Sequence, residues 1–294
     1  MKNKEALDLA STDGCIPIIS VAIVCYNTPF GEISRALISL IAATSALKKK
    51  EKYGHNRLLT EITLINNNDA YQINLSEYAE LDRLLQLAGG KLLLLEGHGN
   101  IGFGAAQNLV LTNSKSQFHL IMNSDVVVSE NTFINGISYL RQNLDIAAVS
   151  PAAVDRHGVK QHLCKQYPTI LAFLLRGFAP DLMKRVFDGR LSQYEMRSLS
   201  EDRPTAGIPI ISGCFIFSRT ACLQKVGGFD DAYFLYFEDF DLSMRLNQEY
   251  SLAYLPSIRI IHEGGNAARK GILHIYMFAR SAIRFFSTYG WNWF

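Results

Sequence analysis

The sequence predicts an α/β fold: a mostly parallel central sheet flanked by helices. Three observations carry this. Short apolar runs alternate with longer helix-like segments through the first half of the chain, the pattern of βαβ units. The run Ile16–Val24 is apolar but for Ser20 and rich in β-branched residues, as expected for a strand buried on both faces in a parallel sheet. Polar clusters recur where the apolar runs stop, and ligands of open α/β sheets bind beyond the carboxyl ends of the strands.

The elements follow in order. The first strand ends in the turn Cys25-Tyr26-Asn27-Thr28-Pro29, and a helical pattern from about Ile33 to Leu47 closes on Lys48-Lys49-Lys50, which suit a helix C-terminus. Glu61–Ile65 is a second strand, ending in Asn66-Asn67-Asn68-Asp69. A helix over about Ser76–Ala88 is stopped by Gly89-Gly90. Lys91–Leu95 is a third strand, followed by the glycine-rich loop Gly97–Gly104 and a helix over Ala105–Leu111. Phe118–Met122 is a fourth strand, running into Asn123-Ser124-Asp125. In the second half, Ile146–Val154 is a strand and 164–207 shows no clear element. Ile210–Phe217 reads as a strand containing Gly213, Glu238–Tyr250 as a helix with Leu242, Leu246 and Tyr250 on one face, and Ser251–Leu255 and Ile258–Ile261 as two short strands ending at His262.

Composition narrows the function. The chain has 294 residues, 48% hydrophobic and 19% charged, too apolar for disorder and long enough for one large domain or two modest ones. With 29 basic against 27 acidic residues, bulk charge gives no support to a nucleic-acid partner. Five cysteines without a C-x-x-C pair argue against a disulfide framework or zinc ribbon and for reduced thiols. The start lacks the apolar core of a signal peptide, and no window is expected to reach the ~20 apolar residues of a spanning helix. The expectation is a cytoplasmic protein. Nothing in the sequence assigns an oligomeric state.

Three motifs can carry chemistry. The loop Gly99-Asn100-Ile101-Gly102-Phe103-Gly104 is not G-x-G-x-x-G and follows the third strand, so a dinucleotide fingerprint is a weak reading. Its glycines still let backbone N–H groups approach a phosphate or sugar, or simply make a tight turn. In Phe234-Leu235-Tyr236-Phe237-Glu238-Asp239-Phe240-Asp241, three carboxylates open a helix behind a row of aromatics. They can satisfy the helix dipole. Alternatively the aromatics desolvate one of them and tune it as a general base. His262 ends a strand beside Glu263-Gly264-Gly265, as a structural histidine or a ligand.

Taken together, VAIVCYN, GNIGFGAAQN, MNSDV, ISGCFIFSR, GGFDDAYFLYFEDFDLSMRL and a later strand ending in histidine resemble the inverting glycosyltransferases of family 2, in their rhamnosyltransferase-like branch. The resemblance implies a GT-A fold, Rossmann-like, over residues 16–265. That splits into a nucleotide-sugar half (16–128) and an acceptor half (129–265), between an N-terminal extension (1–15) and a helical, aromatic tail (266–294). It implies that Tyr26, Asn27, Asn66, Asn100, Gly102, Phe103, Asn108, Asn123 and Ser124 line the donor. Asp125 and His262 are the implied ligands of Mn²⁺ or Mg²⁺. Asp239 is the implied base, with Glu238 and Asp241 supporting it, and Gly213 and Cys214 line the acceptor side. Two departures stand out. Asn66 replaces an aspartate that reads the pyrimidine ring, offering an uncharged acceptor. Asn123 replaces the first aspartate of the D-x-D motif, leaving the ion few protein charges.

The implied reaction moves a sugar, foremost L-rhamnose from dTDP-L-rhamnose, to a saccharide or lipid-linked acceptor in bacterial cell-surface polysaccharide, lipopolysaccharide or O-antigen synthesis. A UDP-sugar donor keeps the mechanism. A catalytically dead module that binds glycan or nucleotide as a scaffold is a different class, kept open by Asn66. The tail interleaves Arg280 and Arg284 with Phe278, Phe285, Phe286, Tyr289, Trp291, Trp293 and Phe294. It can pack on the catalytic domain or on another copy, or make peripheral contact with the inner face of the cytoplasmic membrane.

Overall fold

The structure, a computed structural model, describes residues 16–51, 57–171, 173, 175, 185–264 and 271–293. The expected N-terminal extension, Gly265 and Phe294 lie outside them, as does part of 164–207.

The βαβ alternation folds as expected. Strands β1 (Ile19–Cys25), β2 (Thr60–Asn66), β3 (Gly90–Leu95) and β4 (Phe118–Asn123) pair in parallel in the order β3-β2-β1-β4. The sheet continues through β11 (Phe215–Arg219), antiparallel to β4 and to β6 (Ile146–Val154). It then runs through β12 (Ser251–His262), parallel to β6, to β5 (Val126–Val128) at the edge. Short strands β7 (Lys160–Gln161) and β9 (Thr205–Ala206) pair with β6 and β12, and β8 (Cys164–Lys165) pairs with β10 (Ile210–Ile211) in a separate two-stranded sheet.

Helices cover both faces. On one side α1 (Phe30–Glu51), α2 (Ala79–Ala88) and α4 (Thr132–Gln142) bury Leu37, Leu40, Leu85, Phe133 and Ile137 in one core with Ile19, Val21 and Ile23 of β1 and Phe217 of β11. On the other, α3 (Phe103–Leu111) packs Ala106 and Val110 on Ala22 and Ile65. Further along, α6 (Thr220–Lys225) and α7 (Glu238–Leu246) pack Leu223, Leu242 and Leu246 on Ile121 and Ile216. β1 thus sends alternate side chains into different cores, which is why its sequence is apolar without a period of two. A short helix α5 (Asp188–Tyr194) lies in the segment where no element was expected. The chain's aromatic end forms α8 (Ile272–Tyr289).

Four expectations need correcting. Ile210–Phe217 is not one strand: Ser212-Gly213-Cys214 forms a turn between β10 and β11, and Gly213 turns its N–H to a carboxylate instead of a ladder partner. The two short strands at the end are one, β12, whose register slips between Leu255 and Arg259, around Pro256, which cannot donate to a ladder. The helix read as Glu238–Tyr250 stops at Leu246. Finally, α1 is long and apolar enough to meet the length and composition test for a span. One face of it is used in the core, with Ile33, Leu37, Leu40 and Leu47 essentially inaccessible, while Phe30 and Ile38 are exposed.

Candidate functional site

All the polar clusters gather at the carboxyl rim of the parallel strands. After β1, Asn27 adopts a left-handed conformation (φ 54°), and its side-chain oxygen accepts from Asn68 at 2.6 Å. Tyr26 stands half exposed beside it. Ser124 hydrogen-bonds Glu32 of the first turn of α1 at 2.6 Å, tying the β1 and β4 exits together. The N–H of Asn123 goes to the Cys214 carbonyl at 2.9 Å.

Asn66 ends β2 almost fully buried, and its amide is committed. The NH₂ donates to the Tyr71 carbonyl (2.6 Å) and to Glu96 Oε2 (3.4 Å), and the oxygen accepts the Asn68 N–H (3.3 Å). Its neighbour Asn67, not singled out from the sequence, organises the glycine loop. It donates to Asn100 Oδ1 (3.2 Å) and the Gly102 carbonyl (3.3 Å) and accepts from Ile101 N–H (3.1 Å). Gly102 has φ 90°, and a Cβ there would collide with the carbonyl oxygen of Phe234. Phe103 N–H donates to that same carbonyl at 3.1 Å. The loop is therefore glycine-rich because another backbone lies against it. Phe103 itself packs edge-on against Phe229. Asn108 clasps the following turn: it donates to the Phe229 carbonyl (2.8 Å) and Asp231 (2.9 Å) and accepts from Phe229 N–H (2.9 Å).

Asp125 and His262, 137 positions apart by number, meet through the antiparallel pairing of β5 with β12, which sets His262 opposite Val126. Asp125 Oδ2 lies 3.6 Å from His262 Nε2 and accepts the Gly264 N–H at 3.0 Å. Gln161 holds the imidazole from behind. Its NH₂ donates to the His262 carbonyl (2.9 Å), so its oxygen faces His262 Nδ1 (2.8 Å) and Nδ1 carries the proton. In the neutral ring the lone pair of Nε2 then faces Asp125, the second-shell arrangement that orients histidine ligands. One carboxylate and one oriented imidazole fit a divalent ion that takes the rest of its ligands from a phosphate-bearing substrate and water. Among the described residues no group of three or more His, Cys, Asp or Glu could hold an ion alone.

The carboxylates of α7 divide by direction. Tyr236 (φ 68°) and Phe237 (φ 65°) are both left-handed, a costly conformation for aromatic residues. This kink starts the helix so that Glu238 and Asp239 turn inward. Asp239 accepts the Gly213 N–H through Oδ2 (2.8 Å) and the Phe240 N–H through Oδ1 (3.0 Å). Glu238 is buried, its Oε2 has no hydrogen-bond partner, and its pKa is pushed up to about 8, by burial first and by the charge of Asp239 second. Burial thus favours its neutral, protonated form. Asp241 turns elsewhere, to Arg245 (Nε 2.8 Å) and the Tyr289 hydroxyl of α8 (2.8 Å).

The turn 212–214 joins the two centres. Gly213 holds Asp239, Cys214 holds the backbone of Asn123, and the buried Cys214 thiol is pushed up to about 12, by burial first, with Asp125 and Asp239 both adding to the rise. Cys214 thus lies within electrostatic reach of both carboxylates but faces the core. Neither Gln161 nor Asn67 carries a sequence signal beyond lying near a strand end. Gln161 sits on a two-residue strand.

A sheet of this order, with its polar rim and a carboxylate at the β4 exit, has the GT-A fold. The chain belongs to glycosyl transferase family 2: the family's sequence profile matches residues 20–224. It is similar to the rhamnosyltransferase WbbL of Escherichia coli K12, 24% identical over 175 residues, 56% of this chain and 61% of that one. A 53-residue stretch is 42% identical to an N-acetylglucosaminyl-diphospho-decaprenol L-rhamnosyltransferase of Mycobacterium tuberculosis, 18% of this chain and 17% of that one. The chain thus spans less than two thirds of these relatives. Among solved structures, GalNAc-T7 with UDP, GalNAc and Mn²⁺ superposes with a TM-score of 0.58 at 17% identity, covering 84% of this chain and 43% of that one. The mannosyltransferase PcManGT of Pyrobaculum calidifontis, with GDP-Man and Mn²⁺, gives 0.55 at 16%, covering 92% and 65%. These likenesses show the fold.

Proposed function

We propose that the protein is an inverting glycosyltransferase that moves a sugar, foremost L-rhamnose from dTDP-L-rhamnose, to a saccharide or lipid-linked acceptor of a bacterial cell-surface polysaccharide or lipopolysaccharide. The reading is carried by one observation: the turn 212–214 links a hydrogen-bonded, inward carboxylate, Asp239, to the Asp125–His262 pair. The names of the rhamnosyltransferase relatives support the choice of sugar.

In this reading Tyr26, Asn27 and the loop from Asn100 to Phe103 form the donor pocket, with Asn123 and Ser124 shaping its floor. Asp125 and His262 hold Mn²⁺ or Mg²⁺, which when bound neutralises charge on the diphosphate. Asp239, oriented by two N–H groups, retains lone pairs for an acceptor hydroxyl. It takes that proton as the acceptor oxygen bonds to the anomeric carbon. The bond to the diphosphate breaks on the opposite face, its electron pair leaves with the diphosphate, and the configuration inverts. Glu238, kept neutral, spares the site a second charge. The buried thiols Cys25, Cys164, Cys214 and Cys222, all free, accord with a cytoplasmic setting.

One observation favours a second reading. The committed amide of Asn66 offers a nucleobase little, which suits a non-catalytic glycan- or nucleotide-binding scaffold; a UDP-sugar donor keeps the mechanism. Calorimetry with dTDP, UDP and GDP, each with Mn²⁺, Mg²⁺ or chelator, separates these. Metal-dependent dTDP binding is expected. UDP preference moves the donor, and no binding hands the lead to the scaffold. Asp239→Asn is expected to keep donor binding and lose transfer by at least ~10²-fold; transfer at the wild-type rate would remove Asp239 as base.

A further inference from the structure

Helix α8 has two unlike faces. The inner one buries Phe285 and Phe286 and grips the strained turn before Glu238. Ser281 Oγ donates to the Leu235 carbonyl (2.9 Å), Tyr236 OH meets His274 Nδ1 (2.9 Å), and Phe237 packs on Phe278 and Phe285 with ring centroids 5.2 and 5.4 Å apart. The outer one is apolar and bare: Ile272 is 86% exposed, Leu273 64%, Tyr276 63% and Ile283 57%, and beyond the helix Trp291 and Trp293 are 47% and 60% exposed. Ile272, Tyr276 and Ile283 recur at helical spacing along one stripe about 16 Å long. Arg280 lies exposed on the helix and makes no ion pair among the described residues, whereas Arg284 is paired with Asp230 at 2.8 Å. From Gly264 to Phe294 the sequence contains no Asp or Glu, against Arg269, Lys270, Arg280 and Arg284.

We propose that this outer face docks the protein on an anionic lipid surface, with α8 lying in the plane of the interface. Apolar side chains in a stripe, Tyr and Trp with polar tips, and arginine without acidic neighbours match the layers of a bilayer interface: acyl boundary, headgroup zone and anionic phosphate. A second copy matches less well. A two-fold contact would set Arg280 against its own image, with no carboxylate on this segment to neutralise it. Because the inner face grips residues 235–241, docking also holds the Asp239 turn at a fixed distance from the lipid. On the proposed function this brings the site to a lipid-carried acceptor; docking itself does not depend on that reading.

The test is flotation of the full chain with vesicles of phosphatidylcholine alone or in equal parts with phosphatidylglycerol, at low and high salt. Wild type is expected to float with the anionic vesicles, less with the neutral ones, and less at high salt. Ile272→Asn with Ile283→Asn, both solvent-facing, is expected to lower the partition more than tenfold, and Arg280→Gln roughly fivefold on anionic vesicles alone. Retained dTDP calorimetry in these variants shows that they fold. Wild type left with the unbound fraction overturns the proposal, as does flotation unaltered by the double variant. A lipid-free dimer that the double variant dissociates, without flotation, gives the face to a second copy instead. Flotation without binding of any nucleotide leaves docking standing and removes the proposed reaction.

Discussion

Glu238 and Asp239 are adjacent in sequence, yet their surroundings differ: both oxygens of Asp239 accept a backbone N–H, whereas Glu238 Oε2 is buried without a partner. Burial raises the Glu238 pKa to about 8, so at neutral pH the folded protein holds a proton that the unfolded chain has released. Folding stability attributable to this group therefore falls as pH rises from the unfolded value, near 4.5, to about 8, and is level beyond it. Glu238→Gln removes the titration and keeps the shape. Its melting temperature is expected to match wild type near pH 4.5 and to gain on it through pH 8, by of order 1 kcal/mol per pH unit. Parallel curves for the two proteins would mean that Glu238 is ionised in the folded state. Asn66 gives the complementary case. Replacing it with the charged residue expected there turns a donor facing the Tyr71 carbonyl and Glu96 into a carboxylate facing both. Asn66→Asp is expected to cost about 1–3 kcal/mol and to leave nucleotide affinity no better. An unchanged melting temperature with tighter nucleotide binding would show the side chain turned to the ligand. Asp125 and His262 were legible because each stands where an apolar strand stops. Gln161 and Asn67 were not, because an amide near a strand end has the same sequence signature whether it faces solvent or orders a neighbour.

At the scale of elements, the decisive contact is between the glycine loop and the turn before α7. Gly102 sits at positive φ with the Phe234 carbonyl where a Cβ would stand. Gly102→Ala thus faces two penalties, a left-handed alanine and a clash with backbone that cannot rotate away. A loss of about 2–4 kcal/mol is expected, with the damage reaching Asp239 through the displaced turn. Chemical denaturation measures the first and transfer activity the second. Gly97, also at positive φ but with open space around it, is expected to lose only the conformational part, about 1 kcal/mol. Equal losses at the two positions would show that the close approach to Phe234 contributes nothing. The sequence marked this loop by its glycines but not its partner, since positive φ and close approach demand glycine alike. The parallel strands were legible for a simpler reason: burial on both faces keeps polar residues few, as with Ser20 in β1 and Lys91 in β3, so the apolar runs stand out. Ile210–Phe217 was misread because an apolar run passes through a turn unbroken when both flanking strands are buried.

In the whole molecule, the aromatic cluster of Tyr233, Phe237, Phe285 and Phe286 forms a unit apart from the cores that flank the sheet. It fixes the approach to Asp239, whereas the cores under α1 and α3 fix the carboxyl rim of the parallel strands. Separate cores can open separately, because local stability follows the apolar contacts each segment buries. Phe285 is fully buried at the centre of this cluster, touching Tyr167, Phe237, Phe240, Phe286 and Tyr289. Phe285→Ala is expected to cost about 3–5 kcal/mol in that unit. Hydrogen exchange should then quicken more than a hundredfold over 234–241 and 272–289 and stay unchanged in β1, β2 and β4. Nucleotide binding at the rim would persist while transfer falls, because Asp239 loses the helix that braces its turn. Uniformly faster exchange in both regions would instead make α8 part of a single cooperative core, and nucleotide binding would then fall together with transfer.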